Sequence, residues 1–527
     1  MTGGRDLPAD GYEPAMSATR RQFIAAGAAG LAFGSAFWRT ALVAEARAAQ
    51  SAYGPLQPAD ARGLMLPPGF TSREIARAGR EVKGYPWHIF SDGQATFAMP
   101  DGGWVLVSNS ESIAITGAGS SAIRFGPGGA IQSAYRILAG TNANCAGGRT
   151  PWGTWLSCEE FDSGHVWECE PGRAGQGTMR PAMGSFQHEA VTVDPVREQL
   201  YMTEDQGDGG LYRFTPAAYP DLGAGRLEVL LAGGGWADVP DPAAIAAPTR
   251  QQVPGMQRFS GGEGIWFDSD TVYFATKGDN RIWAYDTVAG TLGTIYDLAA
   301  TPDAPLSGVD NLTVSRAGEV FVCEDGGDME ICVIEPGGAV APFLKLVGEA
   351  AVGLEGRGNE LAGVVFDPSG DRLYLAAQRA YGFGAVYEVT GPFRPGRPPE
   401  APIAAGAPPA GPGLRLKVQR RIGLSALRRK GLKVVIRLEE RADVRVALRT
   451  DDLRRVPGAR GSTARPRTVT LDRRRLRSKR VISVRLRISA AEARRLRRAE
   501  DVTLHVAVSV RGPRGFTRVA SRRVRLR

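Results

Sequence analysis

Carboxylate side chains recur at corresponding points along the middle of this 527-residue chain. Some stand where apolar, strand-like runs begin, and these are Glu189, Glu263, Asp310 and Glu360. Others follow the next apolar run along the chain, and these include Glu111, Glu159, Glu160, Glu204, Asp205, Asp279, Glu324 and Asp325. Carboxylates that are brought together away from water repel one another and cannot all stay ionised without cations. This number of hard oxygen ligands favours Ca²⁺ or a similarly hard metal.

A cysteine lies among these acids. Cys158 belongs to the segment Thr-Pro-Trp-Gly-Thr-Trp-Leu-Ser-Cys-Glu-Glu at 150–160, and a thiolate there could bind a softer transition metal beside the hard sites. The alternative is a disulfide, although five cysteines cannot all pair within one chain. The possible pairs are Cys323 with Cys332 and Cys145 with Cys169, which would leave Cys158 free. The chain has only four histidines, so a zinc site built from histidine is not expected.

The elements that position these residues repeat along the chain with a period of about 47 residues. Each unit contains an apolar strand, a turn, a second strand, an acidic or polar cluster and a third strand. The units begin near residues 97, 144, 190, 264, 310 and 363. Short alternating strands at this period predict an all-β fold with six blades of a β-propeller. Inner strands of propeller blades line a central channel, so we expect the carboxylates at equivalent positions to converge on one axis.

The spacing between the third and fourth units is longer than the others. We predict that residues 217–260, which are rich in Gly, Pro and Ala, form a loop excursion over one face of the propeller. An array of β-sandwiches is the competing interpretation of the repeat. The nearly constant period of a single unit without linkers argues against that array.

Charge divides the chain into an acidic body and a basic end. Residues 401–527 hold 36 Lys and Arg against 9 Asp and Glu, whereas residues 1–400 hold 29 and 46. A Pro-rich linker is predicted at 394–413. Alternating apolar and basic residues in 414–527 predict a small antiparallel β-sandwich with one basic face.

The basic end carries a hypothesis about a partner. Its single aromatic residue is Phe516, whereas nucleic-acid binders usually add stacking aromatics to their charge. We therefore expect an anionic cell-envelope polymer rather than a specific nucleic acid as its partner. A basic surface that is merely solvated is the alternative interpretation.

The first 48 residues have the pattern of an export signal. A twin-arginine pair, Arg20 and Arg21, precedes a mild apolar run at 25–38 and small-residue cleavage options between 44 and 48. The apolar run is shorter than the roughly 20 residues that a membrane span needs, so no transmembrane anchor is expected. We predict export by the twin-arginine (Tat) machinery and a periplasmic, extracellular or wall-associated location.

Seven ordered motifs in the middle of the chain are similar to those of a known family. They are the segment at 150–160, His-Glu-Ala-Val-Thr-Val-Asp (188–194), Tyr-Met-Thr-Glu-Asp (201–205), Gly-Glu-Gly-Ile-Trp-Phe (262–267), Asp-Asn-Leu-Thr-Val (310–314), Cys-Glu-Asp-Gly (323–326) and Glu-Leu-Ala-Gly-Val-Val-Phe (360–366). Roughly residues 62–393 resemble the PhoX-type alkaline phosphatases. The resemblance implies a Tat-exported, six-bladed propeller that hydrolyses phosphate monoesters at an axial cluster of Fe³⁺ and Ca²⁺.

The resemblance also implies roles for individual residues. Cys158 and Glu189 are candidate iron ligands, with Glu263 close to the same centre. Candidates for holding calcium or bridging the metals are Glu159, Glu204, Asp310, Glu324 and Glu360.

Two departures from the family pattern concern the catalytic residues. The catalytic candidate Asn109 is followed by Ser110 and Glu111, where relatives tend to have Asn-His-Glu. Relatives commonly carry a phosphate-binding Arg just before the Glu of the motif at 260–263, where this chain has glycines, with Gly261 in place of the Arg. Arg258, Lys277 and Arg379 are candidate substitutes for that cation.

The leading hypothesis is metal-assisted hydrolysis of phosphate monoesters. One alternative is a calcium-dependent propeller hydrolase that acts on lactones or phytate, which would need no thiolate ligand. Another is a non-catalytic, metal-stabilised propeller that serves as a surface binding module, because a fold alone does not determine a function.

Overall fold

A computed structural model describes residues 47–354, 358–398, 415–438, 443–451, 468–476, 481–497, 502–511 and 517–526. The predicted export signal, apart from its last two residues, and most of the predicted linker lie outside these residues. Five short strands come first, and they are β1 (Arg47–Ala48), β2 (Leu64–Met65), β3 (Thr71–Arg77), β4 (Glu81–Val82) and β5 (Tyr85–Pro86). Among the described residues, no helix is long and apolar enough to span a membrane.

Residues 71–390 form six antiparallel sheets, which we call blades. In the first five blades, four strands follow one another in the chain. The sixth blade has three such strands, and its fourth strand is β3 from the start of the chain. Blade 1 contains β6 (Ser91–Ala98), β7 (Trp104–Ser110), β8 (Gly119–Phe125) and β9 (Ile131–Ala139). Blade 2 contains β10 (Asn144–Arg149), β11 (Trp155–Glu159), β12 (Val166–Cys169) and β13 (Thr178–Met179). Blade 3 contains β14 (His188–Asp194), β15 (Gln199–Glu204), β16 (Leu211–Ala218) and β17 (Asp221–Leu230), with β18 (Trp236–Asp238) beside β17.

The second half repeats the same pattern. Blade 4 contains β19 (Gly262–Asp268), β20 (Thr271–Thr276), β21 (Arg281–Asp286) and β22 (Thr291–Asp297). Blade 5 contains β23 (Val309–Val314), β24 (Val320–Glu324), β25 (Glu330–Ile334) and β26 (Ala339–Leu346). Blade 6 contains β27 (Leu361–Phe366), β28 (Arg372–Ala377) and β29 (Ala385–Thr390). Each blade begins within a few residues of a predicted repeat unit, so the predicted all-β fold is confirmed.

The six sheets are arranged in a ring. Their first strands contact one another in chain order, from β6 through β10, β14, β19 and β23 to β27, and β27 contacts β6. The outer position of blade 6 is filled by β3, which pairs antiparallel with β29. Hydrogen bonds between the two ends of the propeller chain thus hold the ring, and this arrangement agrees with the predicted six-bladed propeller.

The core lies between neighbouring blades rather than inside any single blade. Side chains of a strand alternate between its two faces, so each blade packs one apolar face against the blade before it and the other against the blade after it. In β11, for example, Trp155 packs against blade 1, whereas Leu156 and Cys158 pack against blade 3. Both faces of each blade are therefore apolar.

The predicted insertion at 217–260 is only partly a loop. Its first part is the outer strand β17 of blade 3, and β18 and a 3₁₀ turn at Thr249–Gln251 follow. The remaining residues pack over blade 3, where Val239 and Met256 join the core between blades 2 and 3.

The basic C-terminal region forms two sheets with a shared core. Its elements are β30 (Arg415–Val418), β31 (Arg421–Ile422), α1 (Leu424–Arg429), β32 (Leu432–Arg437), β33 (Asp443–Asp451), β34 (Thr468–Leu476), β35 (Val481–Leu486), α2 (Ala490–Leu496), β36 (Thr503–Arg511) and β37 (Thr517–Leu526). One sheet has the order β30-β32-β35 and the other β37-β36-β33-β34. Two sheets with a shared core agree with the predicted sandwich, while the two short helices were not predicted.

The C-terminal region packs directly on blade 3. Strand β37 pairs with β17 at Thr517 and Gly225. The guanidinium of Arg449, only 4% exposed, donates to Ser185 Oγ at 3.3 Å and to the carbonyls of Ala243 and Ala244. Burial lowers the pKa of Arg449 to about 10.

Candidate metal centre

All six inner strands are interrupted by an irregularity in register at the same point near their start. These shifts fall between Ser91 and Gln94, Asn144 and Gly147, His188 and Val191, Gly262 and Ile265, Val309 and Leu312, and Ala362 and Val365. A β-bulge leaves a residue outside the ladder and changes the direction of its side chain. The first residue within each shift is Asp92, Cys145, Glu189, Glu263, Asp310 or Gly363, and we call these six residues the inner ring.

A second set of six residues directly follows the second strand of each blade. They are Glu111, Glu160, Asp205, Lys277, Asp325 and Gln378, and we call them the outer ring. Because the second strand runs antiparallel to the first, its end lies beside the start of the inner strand. The two rings therefore lie at the same end of the channel.

The side chains of the two rings are close enough to bind the same metal ions. Three groups have potential ligand atoms within 4.8 Å of one another, and they are Asp92 with Glu111 and Cys145, Cys145 with Glu160 and Glu189, and Glu189 with Glu263 and Asp310. Gln378 Nε2 donates to Asp92 Oδ2 at 2.5 Å and to Glu111 Oε2 at 2.9 Å. These groups thus form one continuous cluster across five blades, and Gln378 joins it from the sixth.

Burial disfavours the ionised form of the carboxyl groups in this cluster. Desolvation and the nearby Glu111 and Asp310 raise the pKa of Asp92 to about 8. Desolvation raises the pKa of Asp310 to about 6 and that of Glu189 well above its usual value. Cations bound among these groups would remove the repulsion that causes the shifts.

The donor set fits metal ions. Glu189 is fully buried, and its Oε2 atom has no hydrogen-bond partner among the residues that the structure describes. Cys145 supplies a thiol that suits a softer metal, and the surrounding carboxylates suit a hard metal such as calcium. A buried carboxylate oxygen that accepts no hydrogen bond is free to bind a cation.

Cys145, and not the expected Cys158, is the cysteine whose thiol donates to an axial carboxylate. Cys145 Sγ donates to Glu189 Oε1 at 3.3 Å. The side chain of Cys158 is buried in the apolar core between blades 2 and 3. The physical reason is the bulge in β10, which turns residue 145 toward the axis, whereas residue 158 follows the regular alternation of β11.

Neither of the two possible disulfide pairs is formed, because all five cysteines are free thiols. Cys323 pairs in register with Ile331, and Cys332 pairs with Val322. The two side chains therefore lie on opposite faces of blade 5, Cys323 toward blade 6 and Cys332 toward blade 4. Cys169 lies in the core between blades 1 and 2, away from Cys145.

Three of the expected metal-binding acids instead bind the loop that follows them. Glu159 Oε2 accepts from the amide of His165 at 3.3 Å. In the same way, Glu204 Oε2 accepts from the amide of Gly210 at 3.3 Å. Glu324 Oε2 accepts from the amide of Glu330 at 3.0 Å. In each blade the amide belongs to the sixth residue after the acid. These side chains end the second strand, point away from the axial groups and satisfy loop amides that would otherwise be unpaired.

Glu204 and Glu324 have further partners. Tyr212 donates its hydroxyl to Glu204 Oε2 at 2.7 Å, and Arg250 Nη1 lies 3.0 Å from Glu204 Oε1. The amide of Ser307 donates to Glu324 Oε1 at 2.8 Å. Both carboxylates are thus occupied by protein donors.

The remaining expected ligands stay near the axis. Glu189, Glu263 and Asp310 form one of the three ligand groups. Glu360 directly precedes β27 and is paired with Arg379, whose Nη1 lies 2.5 Å from Glu360 Oε2. The expected ligand set left out four members of the cluster, namely Asp92, Glu111, Cys145 and Glu160. The position of Asp92 and Cys145 near the starts of the first two blades is the signal that could have identified them.

The three catalytic candidates lie in different environments. Asn109 is fully buried, and its Nδ2 donates to the carbonyls of Cys145 and Ala146 at 3.0 and 2.8 Å. Asn109 therefore holds the bulge that presents Cys145. The side chain of Arg258 is 69% exposed and lies 3.8 Å from Asp208. Only Lys277 belongs to a ring.

Lys277 lies beside the position where relatives carry an arginine. Its Nζ is 2.8 Å from Glu263 Oε1 and 3.2 Å from Asp325 Oδ2. Burial by itself would lower the pKa of Lys277, but Glu263 and the neighbouring carboxylates raise it well above its usual value. The amide of Lys277 donates to the carbonyl of Gly261, where φ is +69°. An arginine at 261 would adopt a strained left-handed conformation, and a Cβ there would lie 3.9 Å from the Cβ of Lys277.

Solved structures share only low similarity with this chain. A protein of unknown function from Bacteroides thetaiotaomicron VPI-5482 is 11% identical, with 61% of this chain and 76% of that chain covered and a TM-score of 0.40. An auxiliary nutrient binding protein from the same organism has the same identity and coverage and a TM-score of 0.36. A putative 6-phosphogluconolactonase from Bacteroides uniformis ATCC 8492 is 14% identical, with 51% and 74% covered and a TM-score of 0.31. Similarity at this level carries no argument about function.

The comparison with curated proteins gives no match. The comparison with family models matches residues 101–168 and 161–301 to the family described as alkaline phosphatase PhoX. The matched region contains Cys145, Glu189 and Glu263 of the inner ring and Lys277 of the outer ring. The resemblance expected from the motifs is therefore confirmed over residues 101–301, which match the PhoX alkaline phosphatase family.

Proposed function

We propose that this protein is an exported, metal-dependent phosphomonoesterase whose active site is formed by the two axial rings. The observation that supports the proposal is the convergence of a thiol and buried carboxylates from five blades beside two cationic side chains. The family match supports phosphatase chemistry in general. The metal dependence, the export and the individual roles below are parts of the proposal.

Residues of both rings would hold the metals. Cys145 and Glu189 combine a thiol with a carboxylate and are the proposed iron ligands, with Glu160 close to both. Asp92, Glu111, Glu263 and Asp310 are the proposed ligands of calcium. When bound, such cations neutralise phosphate charge, polarise the phosphorus–oxygen bonds and lower the pKa of water.

The protein's own cations would orient the phosphate. Lys277 follows the second strand of blade 4, and Arg379 follows Gln378 of blade 6. Asp325 belongs to blade 5, which lies between these two blades. An ammonium and a guanidinium placed there can each donate to a phosphate oxygen, and the fork of Arg379 suits two oxygens at once. Both groups are already charged and held by carboxylates, so little reorganisation is needed when charge develops on the oxygens.

Positioning residues keep these groups in place. Asn109 Nδ2 holds the carbonyls of Cys145 and Ala146 within the bulge, and Asn109 Oδ1 accepts from Trp155 Nε1 and Ser157 Oγ at 3.0 and 2.9 Å. Gln378 holds Asp92 and Glu111 through one amide. Rotation of the ligand side chains is thereby limited, as precise metal coordination requires.

The location and the basic region belong to the same proposal. The twin-arginine segment at 20–21 supports export of the folded protein by the Tat machinery. The excess of basic residues in 414–527 supports binding to an anionic envelope polymer, which would keep the enzyme near the cell surface.

The test is a metal analysis of natively exported protein together with a phosphatase assay. We expect iron and calcium in the protein and hydrolysis of 4-nitrophenyl phosphate that is lost on chelation and restored by the metals. Metal-loaded protein that hydrolyses no phosphate monoester would overturn the proposal. Hydrolysis of a lactone or phytate with only calcium bound would instead support the calcium-dependent hydrolase.

A further inference from the structure

Large exposed apolar residues are concentrated beside the two rings. Among the described residues, six large apolar side chains are exposed, and they are Ile113, Ile115, Val196, Val288, Val352 and Phe383. Four of them, Ile113, Ile115, Val352 and Phe383, lie on loops between second and third strands or on the connection between blades 5 and 6. We call these four residues the apolar rim.

The strand order places the apolar rim at the end of the channel where the rings lie. Successive loops of an antiparallel blade alternate between its two ends. The inner strands begin at one end of the channel. The loops between second and third strands lie at this end, and so do the connections that lead into each inner strand. Val196 and Val288 lie on loops between first and second and between third and fourth strands, at the opposite end. Four of the six exposed apolar residues therefore lie at the end of the channel that holds the candidate active site, and two lie at the opposite end.

The apolar rim lies close in the chain to residues of the outer ring. Ile113 lies two residues after Glu111, and Phe383 lies four residues after Arg379. The ring of Phe383 is 6.2 Å from that of Phe90, whose carbonyl accepts from the amide of Glu111 at 3.0 Å. The 3₁₀ turns at Gly348–Ala351 and Ala380–Gly382 are in contact and connect Val352 to the same loops. Blades 6 and 1 thus present an apolar surface next to Arg379.

Exposed apolar groups that gather beside a polar site commonly mark where a ligand binds. Ile115 is 80% exposed and Val352 66%, so neither contributes much to the core. The polar rings account for the phosphate of a substrate and leave its organic group without a partner. An organic group that projects from the rings toward blades 6 and 1 would cover apolar side chains rather than charges.

We infer that the apolar rim binds the organic group of the substrate and makes the protein selective for phosphate monoesters with an apolar chain or ring. This inference rests on the proposed function and adds the class of substrate to it. Sugar phosphates and glycerol phosphates would gain nothing from Ile115 and Phe383, because their hydroxyls would lose water there.

The experiment compares n-hexyl phosphate with ethyl phosphate on the full-length, metal-loaded protein. The two leaving alcohols have similar acidity, so a difference in kcat/KM reports contacts of the longer chain. We expect kcat/KM to be about tenfold higher for n-hexyl phosphate, because added methylenes in an apolar site have effects of this size. The same preference is expected in binding of hexylphosphonate over ethylphosphonate, measured by calorimetry without turnover.

Variants decide whether the apolar rim is responsible. Phe383→Ser and Ile115→Ser should each reduce the preference for the hexyl compounds, because kcat/KM should fall more for n-hexyl phosphate than for ethyl phosphate. Val288→Ser, at the opposite end of the channel, is the matched control and should change neither value. Equal kcat/KM for both esters, or a preference that survives both variants, would overturn the inference while the proposed function stands. Dimerisation that depends on Phe383 would also overturn it, and hydrolysis of neither ester would overturn the proposed function together with the inference.

Discussion

The thiol of Cys145 lies 3.3 Å from Oε1 of Glu189, although the two residues belong to different blades. Both stand within a bulge near the start of an inner strand, one in β10 and the other in β14. The contact joins the softest donor of the cluster to one of its most buried carboxylates. It shows how a repeated local irregularity, rather than a single loop, forms the centre of this protein.

Replacement of Cys145 should remove the softer metal. We expect Cys145→Ala to lower the iron content of exported protein at least tenfold, because a thiolate ligand is lost. Cys158→Ala is the matched control, since that thiol is buried in the core between blades, and it should keep its iron. Elemental analysis of both proteins measures the effect, and loss of iron only in Cys158→Ala would restore the assignment made from sequence.

Replacement of Lys277 should weaken catalysis more than metal binding. We expect Lys277→Met to lower kcat for 4-nitrophenyl phosphate about 100-fold, which is typical when one donor to a developing charge is removed. Arg258→Met, which removes an exposed cation, should have little effect. Steady-state kinetics with metal content measured on the same samples gives the comparison. Equal activity of Lys277→Met and the unchanged protein would exclude Lys277 from phosphate binding.

Glu324 distinguishes a loop-binding role from a metal-binding role. We expect Glu324→Gln to lower the free energy of unfolding by about 1–3 kcal/mol, because an amide cannot accept from both Ser307 and Glu330. The calcium content should stay unchanged. Urea unfolding with metal analysis measures both quantities, and Asp328→Asn, at an exposed position in the same loop, is the control. Loss of calcium without loss of stability would show that Glu324 is a ligand.

Arg449 should connect the C-terminal region to the stability of the propeller. We expect Arg449→Met to lower the free energy of unfolding by about 2–3 kcal/mol, since the carbonyls of Ala243 and Ala244 lose their donor. Arg437→Met, an exposed arginine of the same region, should be neutral within about 0.5 kcal/mol. Thermal or urea unfolding measures the difference. A neutral Arg449→Met would show that the contact with blade 3 contributes little.

His88 should make the protein less stable in acid. Burial, with a smaller effect of Arg136, lowers the pKa of His88 to about 3, whereas an unfolded histidine titrates near 6.5. The unfolded state therefore binds a proton that the folded state does not, and stability is lost as the pH falls from about 6.5 toward 3. The expected loss approaches about 1.4 kcal/mol per pH unit.

The comparison of the unchanged protein with His88→Asn isolates this effect. Urea unfolding at several values between pH 7 and pH 4 should show a shallower pH dependence in the variant. The side chain of His88 contacts Ser91 and Ser121, so the variant is also expected to be less stable at pH 7. Identical slopes for the two proteins would contradict the assigned pKa.

Much of the architecture could be predicted from the sequence because it depends on local patterns. Strand alternation and the turn residues recur in every blade, so the six repeat starts lie close to β6, β10, β14, β19, β23 and β27. The acids at the repeat starts could likewise be expected to share one axis. Glu189, Glu263 and Asp310 were identified in this way, and the structure brings their ligand atoms together.

The choice between neighbouring residues depended on tertiary structure. Glu159 and Glu160, Glu204 and Asp205, and Glu324 and Asp325 are adjacent pairs of acids, and only the second member of each pair belongs to the outer ring. Consecutive side chains at the end of a strand point in opposite directions, and the composition of a pair does not reveal which direction is axial. The hydrogen bonds of the loop amides show that the first member of each pair binds the loop instead.

The sequence by itself therefore determined the all-β class, the number of blades and the blade starts that carry acids, because repeated local patterns encode them. Tertiary structure decided that Cys145 rather than Cys158 reaches the axis, that Lys277 lies beside Gly261, and that Arg449 joins the basic region to blade 3. These relationships depend on bulges and on contacts between residues that are distant in the chain. A bulge displaces one side chain from the regular alternation, and its effect is defined only when the neighbouring blades are in place.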